Sequence, residues 1–261
     1  MKKITVIYHP HKWLNWKRIA AGLHPESWNE VTPAQLIAIA TTYKGKISDV
    51  NFLHIMTGIK KRILRKLDPY HHYKLIELLD FIYDLKPFNS FIIKKLNIQG
   101  RSFFSPKPNL KNMTFGQFIF IDSYFANYQT TYHKSDMDNF LAALYLPTGE
   151  KFDENYLEKH SPLMAKVDTI TREAILINYM LIKEWLTESY PLLFCKREED
   201  DQQQKEKPEN KKQHDSMAWV KILESIVGDD IINHDRYTQV PLHNMLRFMT
   251  GKLKENIKKN K

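Results

Sequence analysis

The sequence predicts a mainly α-helical protein: a multi-helix body with one or two short β segments, followed by a tethered two-helix tail. Only eight of the 261 residues are glycine, which disfavours a turn-rich β-sandwich. Apolar residues recur at three- and four-residue steps in several segments, as on the buried face of a helix. Hydroxyl or acidic residues, some followed by proline, mark the points where these segments begin. Hydrophobic residues make up 43% of the chain and charged residues 26%, a typical globular composition.

The predicted helices follow from these start signals and from the residues that stop them. Thr32 and Asp68 each precede a proline suited to the first helical turn, and Thr114 and Ser135 are further capping residues. Proline at position 191 ends the longest helix. In chain order we predict helices over Pro33–Lys44, Pro69–Lys86, Phe115–Thr130, Asp136–Tyr145, Asp168 or Thr171–Leu186, Met217–Val227 and Pro241–Ile257. The strand candidates are Ile4–Tyr8 and the run Phe91–Phe104.

The composition changes abruptly after residue 195. Residues 196–216 contain no aliphatic or aromatic side chain and are rich in charge. Such a segment buries too little apolar surface to offset the entropy of ordering it. We therefore predict a helical body over 1–195, a charged flexible linker over 196–216 and a small helical tail over 217–261.

The net charge of +9 is concentrated at the two ends of the chain. Residues 1–25 hold five lysines or arginines and no acid, and residues 247–261 hold six against one glutamate. Solvated basic ends are common, so this charge by itself indicates no nucleic-acid-binding domain. One internal cluster is a candidate for weak polyanion contact, although a solvated helix end explains it as well: Lys60, Lys61, Arg62, Arg65 and Lys66.

Motifs for catalysis or metal binding are missing from the sequence. It has no glycine-rich phosphate loop, no His-Glu-x-x-His pair and no Gly-x-Ser-x-Gly turn. Its single cysteine excludes an internal disulfide and a cysteine-rich zinc site. The remaining candidates are better explained as surface or capping residues: His9 with His11, His71 with His72, Asp136 with Asp138, Asp229 with Asp230, and Cys195. We expect no catalytic residue, no cofactor and no metal, and thus no enzyme.

Apolar residues in the tail lie at helical spacing and need a surface to pack on. Two short helices are too small to bury them alone, so they contact either the body or another protein. We predict that this set binds a partner: Trp219, Ile222, Leu223, Ile226, Leu242, Leu246 and Met249. The many aromatic residues of the middle third are explained first by an aromatic core.

Three stretches resemble a group of phage and prophage proteins of gut-type bacteria that act in virion assembly. They are Pro25–Leu36, Ser105–Phe118, and a third that continues through Asp122–Tyr124 and Tyr128 to Asp138–Pro147, within roughly residues 25–150. A charged linker before a short helical tail is also similar to the layout of tail assembly chaperones, whose extension engages the tape-measure protein. Where those proteins have a Tyr-Gly-Pro turn, this chain has Phe104-Ser105-Pro106. The resemblance supplies no catalytic residue.

We therefore expect a non-enzymatic phage-type assembly factor that binds other virion proteins, among them a helical tape-measure-like protein, and that forms a homo-oligomer. The alternatives are a stable structural component of the virion, such as a connector, and a basic accessory protein that binds nucleic acid. The longest apolar stretch, 174–186, is shorter than the ~20 residues that a membrane helix needs. We expect a location in the bacterial host cytoplasm during assembly, or in the virion.

Overall fold

The computed structural model describes residues 1–10, 16–153, 155–194, 218–228 and 234–259, and it confirms the mainly α-helical class. The described residues form twelve α-helices and a few short antiparallel strands. The chain divides into two compact units. The first contains Met1–Phe88 and Asp168–Trp185, and the second contains Asn89–Val167 and Leu186–Lys261.

The first unit begins with a β-hairpin and continues with helices. Strands β1 (Lys2–Tyr8) and β2 (Arg18–His24) pair antiparallel, with Lys2 opposite His24 and Tyr8 opposite Arg18. The helices that follow are α1 (Pro33–Tyr43), α2 (Asp49–Thr57), α3 (Lys61–Leu64) and α4 (Pro69–Glu77). Most of α8 (Thr169–Ser189) also belongs to this unit. Its core includes the fully buried residues Leu36, Ile39, Leu53, Met56, Leu64 and Ile182.

The second unit contains a small sheet and the remaining helices. Strand β4 (Arg101–Phe104) pairs antiparallel with β3 (Lys95–Ile98) and with β5 (Leu146–Pro147). The helices are α5 (Phe115–Thr131), α6 (Lys134–Leu144), α7 (Asn155–Met164), α9 (Pro191–Phe194), α10 (Ala218–Val227), α11 (His234–Thr238) and α12 (Leu242–Lys259). Helices α5 and α6 supply much of the core, including Phe115, Phe118, Ile121, Phe140 and Leu144.

Three of the predicted helix caps, Thr32, Asp68 and Thr114, are confirmed. The Thr32 side chain accepts a hydrogen bond from the Gln35 N–H, and the Gln35 side chain accepts one from the Thr32 N–H in return. Asp68 caps α4 by accepting from the His71 N–H at 2.9 Å. Thr114 caps α5 by accepting from the Gln117 N–H at 3.2 Å. Each cap satisfies a backbone N–H that has no partner inside its helix.

Several boundaries differ from the prediction. Helix α4 ends at Glu77 instead of running to Lys86, because Leu79 leaves helical geometry (φ −107°, ψ 18°) and a short 3-10 helix follows over 80–83. Helix α6 begins at Lys134, with His133 rather than Ser135 at its N-cap. The sequence prediction did not include β2, β5, α2, α3, α7, α9 or α11. These elements are short, and some lack a side-chain cap.

The division into body, linker and tail stays a prediction, since residues 195–217 lie outside the described part of the chain. The described tail helices α10, α11 and α12 belong to the same compact unit as Asn89–Val167. The tail thus packs on residues that the sequence assigned to the body.

Candidate partner-binding site

One face of α5 forms a seat for a helix. Phe115, Phe118 and Asp122 lie at steps of three and four residues, so they share one side of the helix. All three are buried, and Asp122 is only 3% exposed. This face therefore combines a wall of aromatic rings with one buried carboxylate.

The seat is occupied by Trp219 of α10. The Trp219 ring packs edge-on against Phe118 and Phe115, with ring centres 5.2 and 6.1 Å away, and lies tilted by 56° against Phe194 at 5.4 Å. Its indole N–H donates to Oδ2 of Asp122 at 2.8 Å. A Trp N–H in a buried place usually finds such an acceptor, and the bond fixes the ring's orientation. We call Phe115, Phe118, Asp122 and Phe194 the tryptophan seat.

Backbone hydrogen bonds tie Val240 and the first residue of α12, Leu242, to the start of α5. The Phe115 N–H donates to the Val240 carbonyl at 2.9 Å, and the Leu242 N–H donates to the Met113 carbonyl at 3.0 Å. Nearby, Gly116 lies so close to α11 that a Cβ there would be 2.8 Å from the Thr238 Cβ. Only a residue without a side chain permits this approach, so Gly116 sets the distance between α5 and α11.

His243 adds a side-chain link between α12 and the rest of the second unit. Its Nε2 lies in hydrogen-bond contact with the Asn109 carbonyl, and its Nδ1 is 2.7 Å from the Tyr190 hydroxyl. Because a carbonyl only accepts, Nε2 carries the proton and Nδ1 accepts from the Tyr190 O–H. Burial raises the pKa of Tyr190, whereas the nearby Arg247 opposes that rise.

The residues predicted to bind a partner are mostly buried within the chain itself. Those less than 10% exposed are Trp219, Leu223, Leu242, Leu246 and Met249. Ile222 is 37% exposed and Ile226 is half-buried. The sequence left open whether these residues contact the body or another protein. The structure shows the contact with the body, and binding to another protein stays a prediction.

All five residues of the basic cluster, Lys60 to Lys66, are exposed and lie in and beside α3. Within the described residues, none of them forms an ion pair with an acidic side chain. Lys66 instead donates through Nζ to the backbone carbonyl of Pro10, just after β1. The cluster is thus accessible to solvent and lies beside the hairpin.

Three of the histidine and acidic candidates, His71, His72 and Asp136, have local structural roles. His71 Nδ1 is 2.7 Å from the Asp68 carboxylate, and His72 Nε2 is 2.8 Å from the Leu64 carbonyl. Asp136 accepts from the Thr131 hydroxyl at 3.2 Å in the first turn of α6. Cys195, His11, Asp229 and Asp230 lie outside the described residues.

The described residues contain no group of three or more His, Cys, Asp or Glu side chains that could hold a metal ion. Among those same residues, no helix has both the length and the apolar character needed to cross a membrane.

The sequence prediction missed a buried histidine, His160 of α7. Its ring is 1% exposed, stacks on Tyr156 with centres 4.0 Å apart, and meets the edge of Phe103 at 5.6 Å. The Nε2 atom lies 3.3 Å from the Glu150 carboxylate. Burial lowers the pKa of His160, and the negative charge of Glu150 opposes that shift. The signal in the sequence was the four-residue step from Tyr156 to His160, which places both rings on one helix face.

Comparison with known proteins adds no relative to this description. No family model, no curated protein and no solved structure gives a significant match to this chain.

Proposed function

We propose that this protein is a non-enzymatic assembly factor that binds other proteins of a virion, in the manner of a tail assembly chaperone. The tryptophan seat on α5 is where it would hold an amphipathic helix. The observation that best supports this proposal is the buried hydrogen bond from Trp219 Nε1 to Asp122 Oδ2, which is surrounded by aromatic rings. An amphipathic helix laid into an apolar groove is a common way to recognise a protein segment.

The seat has the features that make such recognition selective. Phe115 and Phe118 provide apolar surface to any aromatic anchor, whereas Asp122 favours one that carries an N–H. A phenylalanine or leucine in the same position removes the N–H that donates to this carboxylate, at a cost of about 1–3 kcal/mol. The seat therefore favours a helix with tryptophan at its centre.

In this proposal, α10 occupies the same site to which a helix of the partner would bind. It packs through Trp219, Leu223 and Val227, at four-residue steps, and leaves Ile222 partly exposed. The sequence between α9 and α10 includes 196–216, a stretch without aliphatic or aromatic side chains. A segment of this composition has little apolar surface with which to fix α10 on α5. We therefore propose that a helix of the partner can replace α10 on α5.

A peptide competition experiment tests the exchange. A fluorescein-labelled peptide of residues 216–228 is titrated into the full-length Trp219→Ala protein and into the wild type. We expect the variant, whose seat is vacated, to bind the peptide at least tenfold more tightly than the wild type. The matched control is the same peptide with its tryptophan replaced by alanine. Equal binding of both peptides, or none by either, would argue against the seat as a recognition site.

The partner class is tested by affinity capture of the tagged full-length chain from phage-producing host cells. We expect virion proteins in the eluate, enriched with Trp219→Ala relative to wild type because the seat is open. Purified particles should lack the chain. Its presence there in stoichiometric amount would favour a structural virion component, and an eluate with nucleic acid but no virion protein would overturn the assembly-factor proposal.

A further inference from the structure

We infer that the first unit carries a binding surface for single-stranded nucleic acid, formed by the hairpin β1–β2, helix α3 and helix α4. This surface shares no residue with the tryptophan seat, and it goes beyond the proposed protein-binding function. Two clusters of positive charge that are more than 40 residues apart in sequence contribute to it, together with exposed aromatic rings.

The first component is the basic cluster of α3. Lys60, Lys61, Arg62, Arg65 and Lys66 are all exposed within seven residues. None of them forms an ion pair with an acidic group in the described part of the chain. Cations grouped in this way on a folded surface attract the phosphates of a nucleic acid and release its counterions on binding.

The second component is the hairpin, which the fold holds against the residues leading into α3. A Cβ on Gly22 of β2 would lie 2.4 Å from the Thr57 carbonyl oxygen and 2.7 Å from Ile59 Cγ1. At the other end of the hairpin, Lys66 contacts the Pro10 carbonyl. The exposed cations at this end of the hairpin, Lys17 and Arg18, therefore lie beside the basic cluster of α3.

The hairpin adds positive charge without adding any negative charge. Lys17 and Arg18 are exposed, and residues 1–25 contain no aspartate or glutamate. Lys2 is paired with Glu26 at 3.1 Å and is left out of the surface.

The third component is a pair of exposed tyrosines on α4. Tyr70 and Tyr73 are 64% and 62% exposed, and Lys74 Nζ lies 6.0 and 5.8 Å from their ring centres. His72 of the same helix contacts the Leu64 carbonyl, which fixes α4 beside α3. The two acidic residues of this segment are already paired, Asp68 with His71 and Glu77 with Lys74.

The exposed rings favour a single strand over a duplex. Bases of a single strand stack on aromatic side chains, whereas the bases of a duplex are already stacked on each other. Trp16 adds a third exposed ring on the hairpin, just before β2. The combination of exposed cations and exposed rings matches the way proteins hold single strands without reading their sequence.

The test is fluorescence anisotropy of a labelled 20-nucleotide oligothymidine with the full-length protein. The same titration is run with oligouridine, with a duplex of equal length and with phosphatidylserine vesicles as competitor. We expect the single strands to bind more tightly than the duplex and the affinity to fall steeply with salt. The oligothymidine and oligouridine titrations distinguish DNA from RNA as the natural ligand.

Three variants localise the binding. Lys61→Gln with Arg62→Gln and Arg65→Gln should weaken binding at least tenfold. The salt slope should fall by about 2, because each phosphate that is no longer neutralised lowers it by ~0.7. Tyr70→Ala with Tyr73→Ala should weaken single-strand binding about tenfold, because stacked rings contribute to the binding of each base.

The matched control, Lys254→Gln with Lys258→Gln and Lys259→Gln on α12, should bind like the wild type. All eight substituted side chains are exposed, so circular dichroism should show unchanged folding in the three variants.

Several results would overturn the inference. These are no binding at 50 mM salt, an equal weakening in the α12 control, or tyrosine variants that bind like the wild type. Vesicles that displace the oligonucleotide and bind the protein more tightly would assign the surface to an anionic membrane instead.

Discussion

The indole N–H of Trp219 donates a 2.8 Å hydrogen bond to the carboxylate of Asp122, a residue 97 positions earlier in the chain. Both side chains are buried, so removing either partner takes a hydrogen bond away from a buried polar group. This hydrogen bond, rather than the apolar stripe alone, defines where α10 lies on α5.

Two substitutions of Trp219 distinguish the contribution of the hydrogen bond to stability from that of the ring packing. Trp219→Phe keeps most of the apolar surface but removes the donor, and we expect the free energy of unfolding to fall by about 1–3 kcal/mol. Trp219→Ala also removes the ring from its aromatic surroundings and should cost about 3–5 kcal/mol. Urea unfolding gives both values, and hydrogen exchange across 218–228 shows whether α10 is released locally. Equal effects of the two variants would mean that the hydrogen bond dominates the interaction.

Gly116 and Gly251 are matched helical glycines with opposite expected behaviour. Gly116→Ala should lower the free energy of unfolding by about 1–3 kcal/mol, because the new Cβ overlaps Thr238 and α11 must shift. Gly251→Ala, on α12, meets nothing within 4 Å and should raise it by up to about 1 kcal/mol through helix propensity. Thermal unfolding of the two variants side by side measures this difference. A Gly116→Ala protein as stable as the Gly251→Ala protein would contradict the close packing of α5 and α11.

His160 makes stability depend on pH. Burial lowers the pKa of His160 from its ordinary value of 6.5. Just below pH 6.5, His160 is therefore protonated to a greater extent in the unfolded chain than in the folded one. The free energy of unfolding should therefore fall as pH drops through 6.5 and stop falling below the lowered pKa. Urea unfolding at several pH values should show this decrease, and His160→Gln should flatten it by up to about 1.4 kcal/mol per pH unit.

Glu150→Gln provides the opposing control for His160. Its carboxylate favours the protonated ring, so removing the charge should lower the pKa of His160 further and extend the sloping region to lower pH. An unchanged pH profile in both variants would show that His160 does not govern the decrease.

A substitution of Tyr190 tests the contribution of its hydrogen bond with His243 to stability. Tyr190→Phe removes the hydroxyl that donates to Nδ1, and we expect the free energy of unfolding to fall by about 1 kcal/mol. The control is Tyr132→Phe on the C-cap of α5, where the side chain is 73% exposed and the change should stay within ~0.5 kcal/mol. Chemical denaturation of both variants makes the comparison. Similar values for the two would indicate that the hydrogen bond to His243 adds nothing to stability.

The helices that the sequence located best are those with a local start signal. Thr32, Asp68 and Thr114 cap their helices as predicted, since a cap depends only on residues three positions apart. Helices α2 and α3 have no side-chain cap, and the sequence prediction missed both. The hairpin partner β2 was also missed, because Gly22 and its neighbouring alanines give a strand little apolar alternation to recognise.

By itself, the sequence determined the helical class, three capped helix starts and the tail residues that need a surface to cover them. Only the tertiary structure decided what covers them, because Phe115, Phe118 and Asp122 meet Trp219 across nearly 100 residues. The same holds for the hairpin, which packs beside α3 through the contacts of Gly22 and Lys66. The local sequence pattern shows which face of a helix or strand is apolar or charged. Which other element packs against that face depends on the tertiary packing of the whole unit.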